Sequence, residues 1–151
     1  MILTSFSLFR SVGAVLLSSL FLLSLAWAES AVISAPEAFA RAKAGELVLI
    51  DVRSPEEWRQ SGIPANALPI TLHQAGGPEA FQQAVLQAVK GNRDQPIAVI
   101  CAAGSRSHRA QGLLEQAGFT RVQDISEGMF GHDNLPGWIK RGLPVVSCKD
   151  C

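Results

Sequence analysis

Apolar residues along this chain alternate between short unbroken runs and longer stretches of helical period. Leu47-Val48-Leu49-Ile50 and Ile97-Ala98-Val99-Ile100 are continuous runs of four. Each is too short for a helix and suits a strand buried on both faces of a parallel sheet. Residues 122–125 are a third strand candidate. Ser34-Ala35-Pro36-Glu37 and Ser54-Pro55-Glu56-Glu57 each place a capping Ser before Pro, with Glu three residues after the Ser. These capping boxes open helices, the first reaching about Lys43 and the second stopped by Gly62. Gly76-Gly77-Pro78 introduces an amphipathic helix with Phe81, Ala84, Val85, Ala88 and Val89 on one face, ended by Gly91. A further helix is expected over 107–117, with Leu113 and Leu114 inward and Gly118 just past its end. Residues 63–72 contain Pro64 and Pro69 and predict mostly loop with one short edge strand. Residues 128–142, with Gly and Pro around Trp138 and Ile139, predict a loop and a short helix. Strands alternating with helices mean an α/β fold with a central, mostly parallel sheet.

Length and charge narrow this further. The chain has 151 residues, room for one ordinary domain. Its first 28 residues carry one charged group, Arg10, followed by the apolar stretch 11–25 and the small-x-small ending Ala26-Trp27-Ala28. That pattern is a secretory signal peptide, cleaved before Glu29. The expected organisation is therefore a signal peptide over 1–28, one domain over 29–147 and a short tail over 148–151. The mature protein is expected in the periplasm or secreted, without stable membrane association. Excluding Arg10, 12 basic residues face 13 acidic ones. This balance carries no footprint for nucleic acid. Three cysteines are too few for a disulfide scaffold. In an oxidising compartment Cys148 and Cys151 are the natural pair, which leaves Cys101 free. No His and Cys pair has metal-ligand spacing, so no metal is expected.

The most informative stretch is Cys101-Ala102-Ala103-Gly104-Ser105-Arg106-Ser107. A buried strand delivers Cys101 to its carboxyl end, where open α/β sheets place ligands. Small side chains then let the backbone curl so that N–H groups face one point, and a helix start adds its dipole. Such a nest holds an anion, and a Cys101 thiolate is the one at hand. Arg106 and Arg109 add positive charge suited to an anionic substrate. A strand-end Cys is otherwise a packing residue beside a tight turn. The run of small residues ending in Arg favours the reactive reading.

Three blocks resemble one family. Asp51-Val52-Arg53-Ser54-Pro55-Glu56-Glu57-Trp58 resembles the D-V-R-x-x-x-E-[FWY] segment of rhodanese-like domains. Cys101 to Ser107 matches their C-x-x-G-x-R-S loop. Gly118-Phe119 and Gly128…Trp138…Gly142-Leu143-Pro144-Val145 resemble their closing segment. The resemblance spans about residues 33–146 and implies a three-layer fold with helices on both faces of the sheet. It also implies a sulfurtransferase of the thiosulfate type, without a cofactor. Cys101 then carries sulfur as a persulfide between a small anionic donor and a thiol or cyanide acceptor, a protein thiol included. Ala102, Ala103, Gly104, Ser105, Arg106 and Ser107 are the implied substrate-binding residues, with Arg106 on the donor's oxygens. Asp51 and Arg53 are implied supports at the neighbouring strand end, against the alternative of a surface ion pair at a helix entrance.

Two departures stand out. Ser61-Gly62-Ile63-Pro64-Ala65-Asn66 replaces the family's G-H-I-P-G-A, and the paired glycines before Trp138 are spread over 128–138. The longer loop is expected to line the mouth of the site, with His132 a solvated loop residue. Alternatives are a non-catalytic interaction module, a phosphatase of the same fold and a thiol-redox protein using Cys148 and Cys151. A phosphatase would have five residues between Cys and Arg, and this chain has four.

Overall fold

The computed structural model describes residues 31–151, and the expected signal peptide over 1–28 lies outside them. The elements run α1 (Ala35–Lys43), β1 (Val48–Asp51), α2 (Pro55–Ser61), β2 (Ile63–Pro64), β3 (Ala67–Pro69) and α3 (Gly77–Ala88). They continue as β4 (Ile97–Ile100), α4 (Ser105–Gln116), β5 (Val122–Asp124), α5 (Gly137–Lys140) and β6 (Val145–Val146). The central sheet has the order β3-β1-β4-β5, and every pairing in it is parallel.

The unbroken apolar runs are explained by the two faces of this sheet. Ile97 and Val99 pack with Phe81 and Val85 of α3 and Ala110 and Leu114 of α4. Ala98 and Ile100 point the other way, toward Ala35 and Ala38 of α1 and Trp138 of α5. A strand whose side chains alternate between two buried layers has no polar face to show. The result is the expected three-layer α/β fold.

Both segments start helices as expected, but only the second closes a reciprocal capping box, Ser34 at α1 simply accepting from the Glu37 amide at 3.4 Å. Ser54 accepts from the Glu57 amide at 3.3 Å, and Glu57 Oε2 accepts from the Ser54 amide at 3.0 Å. Residues 63–72 contain more structure than expected. Instead of one edge strand there are two: β2 pairs antiparallel with β6, and β3 joins the central sheet beside β1. Neither proline interferes, because Pro64 sits in a two-stranded ribbon and Pro69 ends an edge strand. Asn66, with φ 68°, takes the left-handed turn between them, a conformation Asn tolerates. The replacement of the family's G-H-I-P-G-A therefore still closes a tight turn.

Candidate functional site

Cys101 follows β4, and the register places Ile100 beside Asp51 on β1. Its side chain is a free thiol, 1% exposed. The chain then curls through Ala102 and Ala103 to Gly104, whose φ of 92° belongs to the left-handed region. This turn aims the Gly104 N–H at Cys101 Sγ, 3.1 Å away. Helix α4 begins at Ser105, two residues earlier than the sequence predicts, because Gly104 completes the reversal alone. Ser107 is wholly buried, and its hydroxyl donates to the Gly104 carbonyl at 2.9 Å. It locks the loop from within, whereas Ala103 and Ser105 are exposed.

The long loop after β5 forms the wall behind this curl. Met129 and Phe130 donate their amides to the carbonyls of Cys101 and Ala102, at 2.8 and 3.0 Å. A Cβ on Gly104 would strike the Ser126 carbonyl, and one on Gly128 would strike the backbone of Ala102. Glycine is needed at both positions because two backbones meet there. Glu127 staples the wall in place. It accepts from the Ala35 and Gly137 amides and from Arg141 Nε, the last at 2.6 Å. Burial opposes its ionisation, yet Arg141 and the two amides hold its carboxyl below the ordinary range. His132 meets two acceptors, Asp133 Oδ2 at 3.2 Å and the Ser126 carbonyl at 3.0 Å. Asp133 and Ser126 together raise its pKa, favouring the doubly protonated ring. Phe130 is 54% exposed at the rim, its ring centroid 6.0 Å from the Arg53 guanidinium.

Two carboxylate–guanidinium pairs hold the other side. Asp51 and Arg53 are both 0% exposed, which corrects the surface-pair alternative. Arg53 donates to both Asp51 oxygens, to Ser61 Oγ at 2.7 Å and to the Gly62 carbonyl at 2.6 Å. Burial of this pair follows from its place between the carboxyl end of β1 and the end of α2. Arg106, the expected ligand for donor oxygens, instead makes a bidentate pair with Glu57, both contacts at 2.6 Å. Arg106 holds the Glu57 carboxyl down at about 2 against the penalty of burial, with Ser54 helping. Glu57 in turn raises the Arg106 pKa, and the charges of Cys101 and Asp51 add to the effect. At the end of β5, burial raises the Asp124 carboxyl above its ordinary range, although the neighbouring Ser107 hydroxyl opposes the shift.

The model of the rhodanese-like domain family matches residues 34–134. The chain belongs to the rhodanese-like domain family. Relatives include a sulfurtransferase of Allochromatium vinosum, 28% identical over 102 residues, covering 68% of this chain and 80% of the relative. The chloroplastic thiosulfate sulfurtransferase 16 of Arabidopsis thaliana is 34% identical over 102 residues, covering 64% of this chain and 77% of its own. Among solved structures, the human single-domain sulfurtransferase superposes with a TM-score of 0.51 at 28% identity. That match covers 66% of this chain and 92% of the human one. These similarities support a rhodanese-family enzyme.

In this rhodanese-like domain the expected residues Cys101 to Ser107, Asp51 and Arg53 do converge at one edge of the sheet. Arg106 is present but engaged, and Arg109 stands exposed on the next turn of α4. Glu57 was legible as a capping residue and as the glutamate of the D-V-R-x-x-x-E segment. Its second role, gripping Arg106 from 49 positions away, has no local signal. The loop containing Gly128 and Met129 was expected at the mouth of the site, but its backbone-to-backbone contacts with the Cys101 loop, and the part played by Ser126, had no local signal.

Proposed function

We propose that this rhodanese-like domain is a sulfurtransferase whose nucleophile is Cys101. The buried Cys101 thiol at the carboxyl end of β4, with the Gly104 N–H donated to its sulfur, carries this reading. In the first half-reaction the thiolate attacks the outer sulfur of thiosulfate or a similar donor. The donor's S–S bond breaks, sulfite leaves with the electron pair, and Cys101 becomes a persulfide. In the second, an acceptor thiolate or cyanide takes the outer sulfur and the electron pair returns to Cys101 Sγ. Splitting one transfer into two through a covalent intermediate is the advantage of such a nucleophile. With Arg106 and Arg53 engaged, donor recognition falls to the loop around Cys101, its backbone N–H groups and the start of α4. Arg106 acts as a brace that fixes the loop against α2.

Export over the signal peptide, with cleavage after Ala28, belongs to the same proposal. The Cys148–Cys151 disulfide supports it, since such bonds persist mainly in oxidising compartments. The decisive experiment is the intact mass after thiosulfate treatment. The expected result is a gain of one sulfur atom that a dithiol removes, absent in Cys101→Ser, because a hydroxyl cannot carry sulfane sulfur. Undiminished sulfur transfer by Cys101→Ser would end this reading. Aryl-phosphate hydrolysis measured beside it, with Cys101 phosphorylated, would establish the phosphatase alternative instead.

A further inference from the structure

His132 stands in the stretch where the paired glycines of the family are spread over 128–138. Its backbone is fixed by a tight turn, in which the His132 amide donates to the Leu135 carbonyl at 3.1 Å and the Leu135 amide returns to His132 at 2.8 Å. Asp133 takes a left-handed position in that turn, with φ 48°. The Gly131 amide ties the base of the turn to the Glu127 carbonyl at 3.1 Å. The ring therefore projects from a held backbone, although its side chain is 38% exposed.

From this position the ring is linked to the sulfur of Cys101. His132 Nε2 lies 3.0 Å from the Ser126 carbonyl oxygen. That oxygen is the atom against which Gly104 packs, since a Cβ on Gly104 would strike it, with His132 Nε2 only 3.6 Å from the same point. Gly104 in turn donates its N–H to Cys101 Sγ at 3.1 Å. Ser107 holds the other side of Gly104 through its carbonyl at 2.9 Å, so Ser126 supplies the second of two grips on this residue. Three contacts thus run from the ring to the nucleophile, through Ser126 and Gly104.

Both ring nitrogens face acceptors, Nδ1 the Asp133 carboxylate at 3.2 Å and Nε2 the Ser126 carbonyl. A neutral imidazole has one N–H, so it serves one acceptor and turns a lone pair toward the other. Only the imidazolium donates to both. The groups that face the ring are Asp133 from its own turn, the Ser126 carbonyl and Asp124 at the end of β5, which also feels His108 of α4. Asp133 and Ser126 favour the charged ring, and the charge of Asp124 adds to them.

We propose that His132 is a positioning residue for sulfur transfer, its imidazolium pinning the Ser126 carbonyl against Gly104 and so keeping the Gly104 N–H on Cys101 Sγ. That N–H supports negative charge on the sulfur, as the attacking thiolate and again when the electron pair returns to it. Loss of the ring proton releases the Ser126 carbonyl and lets the Gly104 peptide turn away. The role in transfer rests on the sulfur-transfer reading, whereas the positioning does not, because it acts on the thiolate of the unloaded protein.

Alkylation of Cys101 by iodoacetamide, followed by intact mass from pH 5 to pH 9, reads the positioning without a sulfur donor. Dividing the wild-type rate by the His132→Gln rate cancels the titration of the thiolate itself. The quotient is expected to be about five at pH 5.5, the effect of losing one hydrogen bond, and to fall toward one by pH 9. The fall should follow the titration of the His132 ring, read from its Hε1 resonance. Asp133→Asn keeps a residue that tolerates the left-handed turn and should move both curves to lower pH together. The rate of persulfide formation from thiosulfate should trace the same dependence. A quotient of one throughout, or one that does not change with pH, overturns the proposal. So does a rate curve that stays in place while Asp133→Asn moves the ring titration. Alkylation that follows the ring beside persulfide formation that does not overturns the role in transfer. Alkylation that follows the ring while thiosulfate adds no sulfur to any variant upholds the positioning and ends the sulfur-transfer reading.

Discussion

Asp51–Arg53 and Glu57–Arg106 are the same chemistry in two settings, and they divide the work around Cys101. The first pair is sealed from water, both side chains 0% exposed, with every arm of the guanidinium engaged. The second is reached by solvent, with each side chain 27% exposed. A sealed pair has already lost its hydration, so removing one partner strands a charge in a medium that cannot solvate it. A half-exposed pair can fall back on water. Asp51 and Arg53 therefore belong to the scaffold that joins β1 to α2. Glu57 and Arg106 couple α2 to the Cys101 loop, where a change alters geometry more than stability.

The largest expected effect comes from opening the sealed pair. Arg53→Ala should destabilise the fold by about 3–5 kcal/mol. The melting temperature would then fall by about 10 °C or more, read by calorimetry or circular dichroism. A loss below about 1 kcal/mol would put this pair in the same class as its half-exposed neighbour.

Opening the second pair should show less in melting and more in turnover. Glu57→Gln and Arg106→Ala should each lower kcat/KM for thiosulfate by about ten- to a hundredfold, through a loop contact of about 1.5–3 kcal/mol. The two variants should fall together, because Arg106 acts through the loop. If Arg106 gripped the donor directly, freeing it by Glu57→Gln would preserve or raise the rate. The pair also has an acid limit. Glu57 titrates at about 2 in the fold, below its ordinary 4.5. A carboxylate with a lowered pKa contributes stability that is complete above about pH 4.5 and lost as pH falls toward 2. Denaturant titrations of wild type and Glu57→Gln should accordingly differ at pH 6 and converge near pH 2.

The smallest effect is expected at His132, which ties the wall behind the loop from an exposed position. Its pKa is raised, chiefly by Asp133, so its contribution is complete below about pH 6.5 and disappears as pH rises through the folded value. His132→Gln should therefore match wild type at pH 9 and melt slightly lower at pH 5.5. Equal differences at both pH values would show that the ring acts by shape and not by charge.

The elements were legible where the signal is local. Capping boxes announced α1 and α2, the four-residue apolar runs announced β1 and β4, and Gly118 marked the end of α4. The strands that were missed, β2 and β6, are two residues each and exist only because each finds the other. Ile63 and Val146 are 83 positions apart, and nothing in either segment names its partner. At the site, Cys101 and Gly104 were visible because a thiol at a strand end and a left-handed turn are properties of neighbouring residues. The state of Arg106 was not visible, because its partner lies on a different helix.

By itself the sequence determined the α/β class with a mostly parallel sheet, the location of Cys101 at a strand end and the small residues that let its loop curl. Those follow from periodicity, capping and steric freedom, which act over a few residues. Only the tertiary structure decided which charges are available for chemistry. It buried Arg53 against Asp51, engaged Arg106 with Glu57 and left Arg109 open on α4. Electrostatic pairing is settled through space, by which side chains reach one another first and how much water remains between them. Three arginines with the same charge thus hold three different positions, a support, a brace and an open cation.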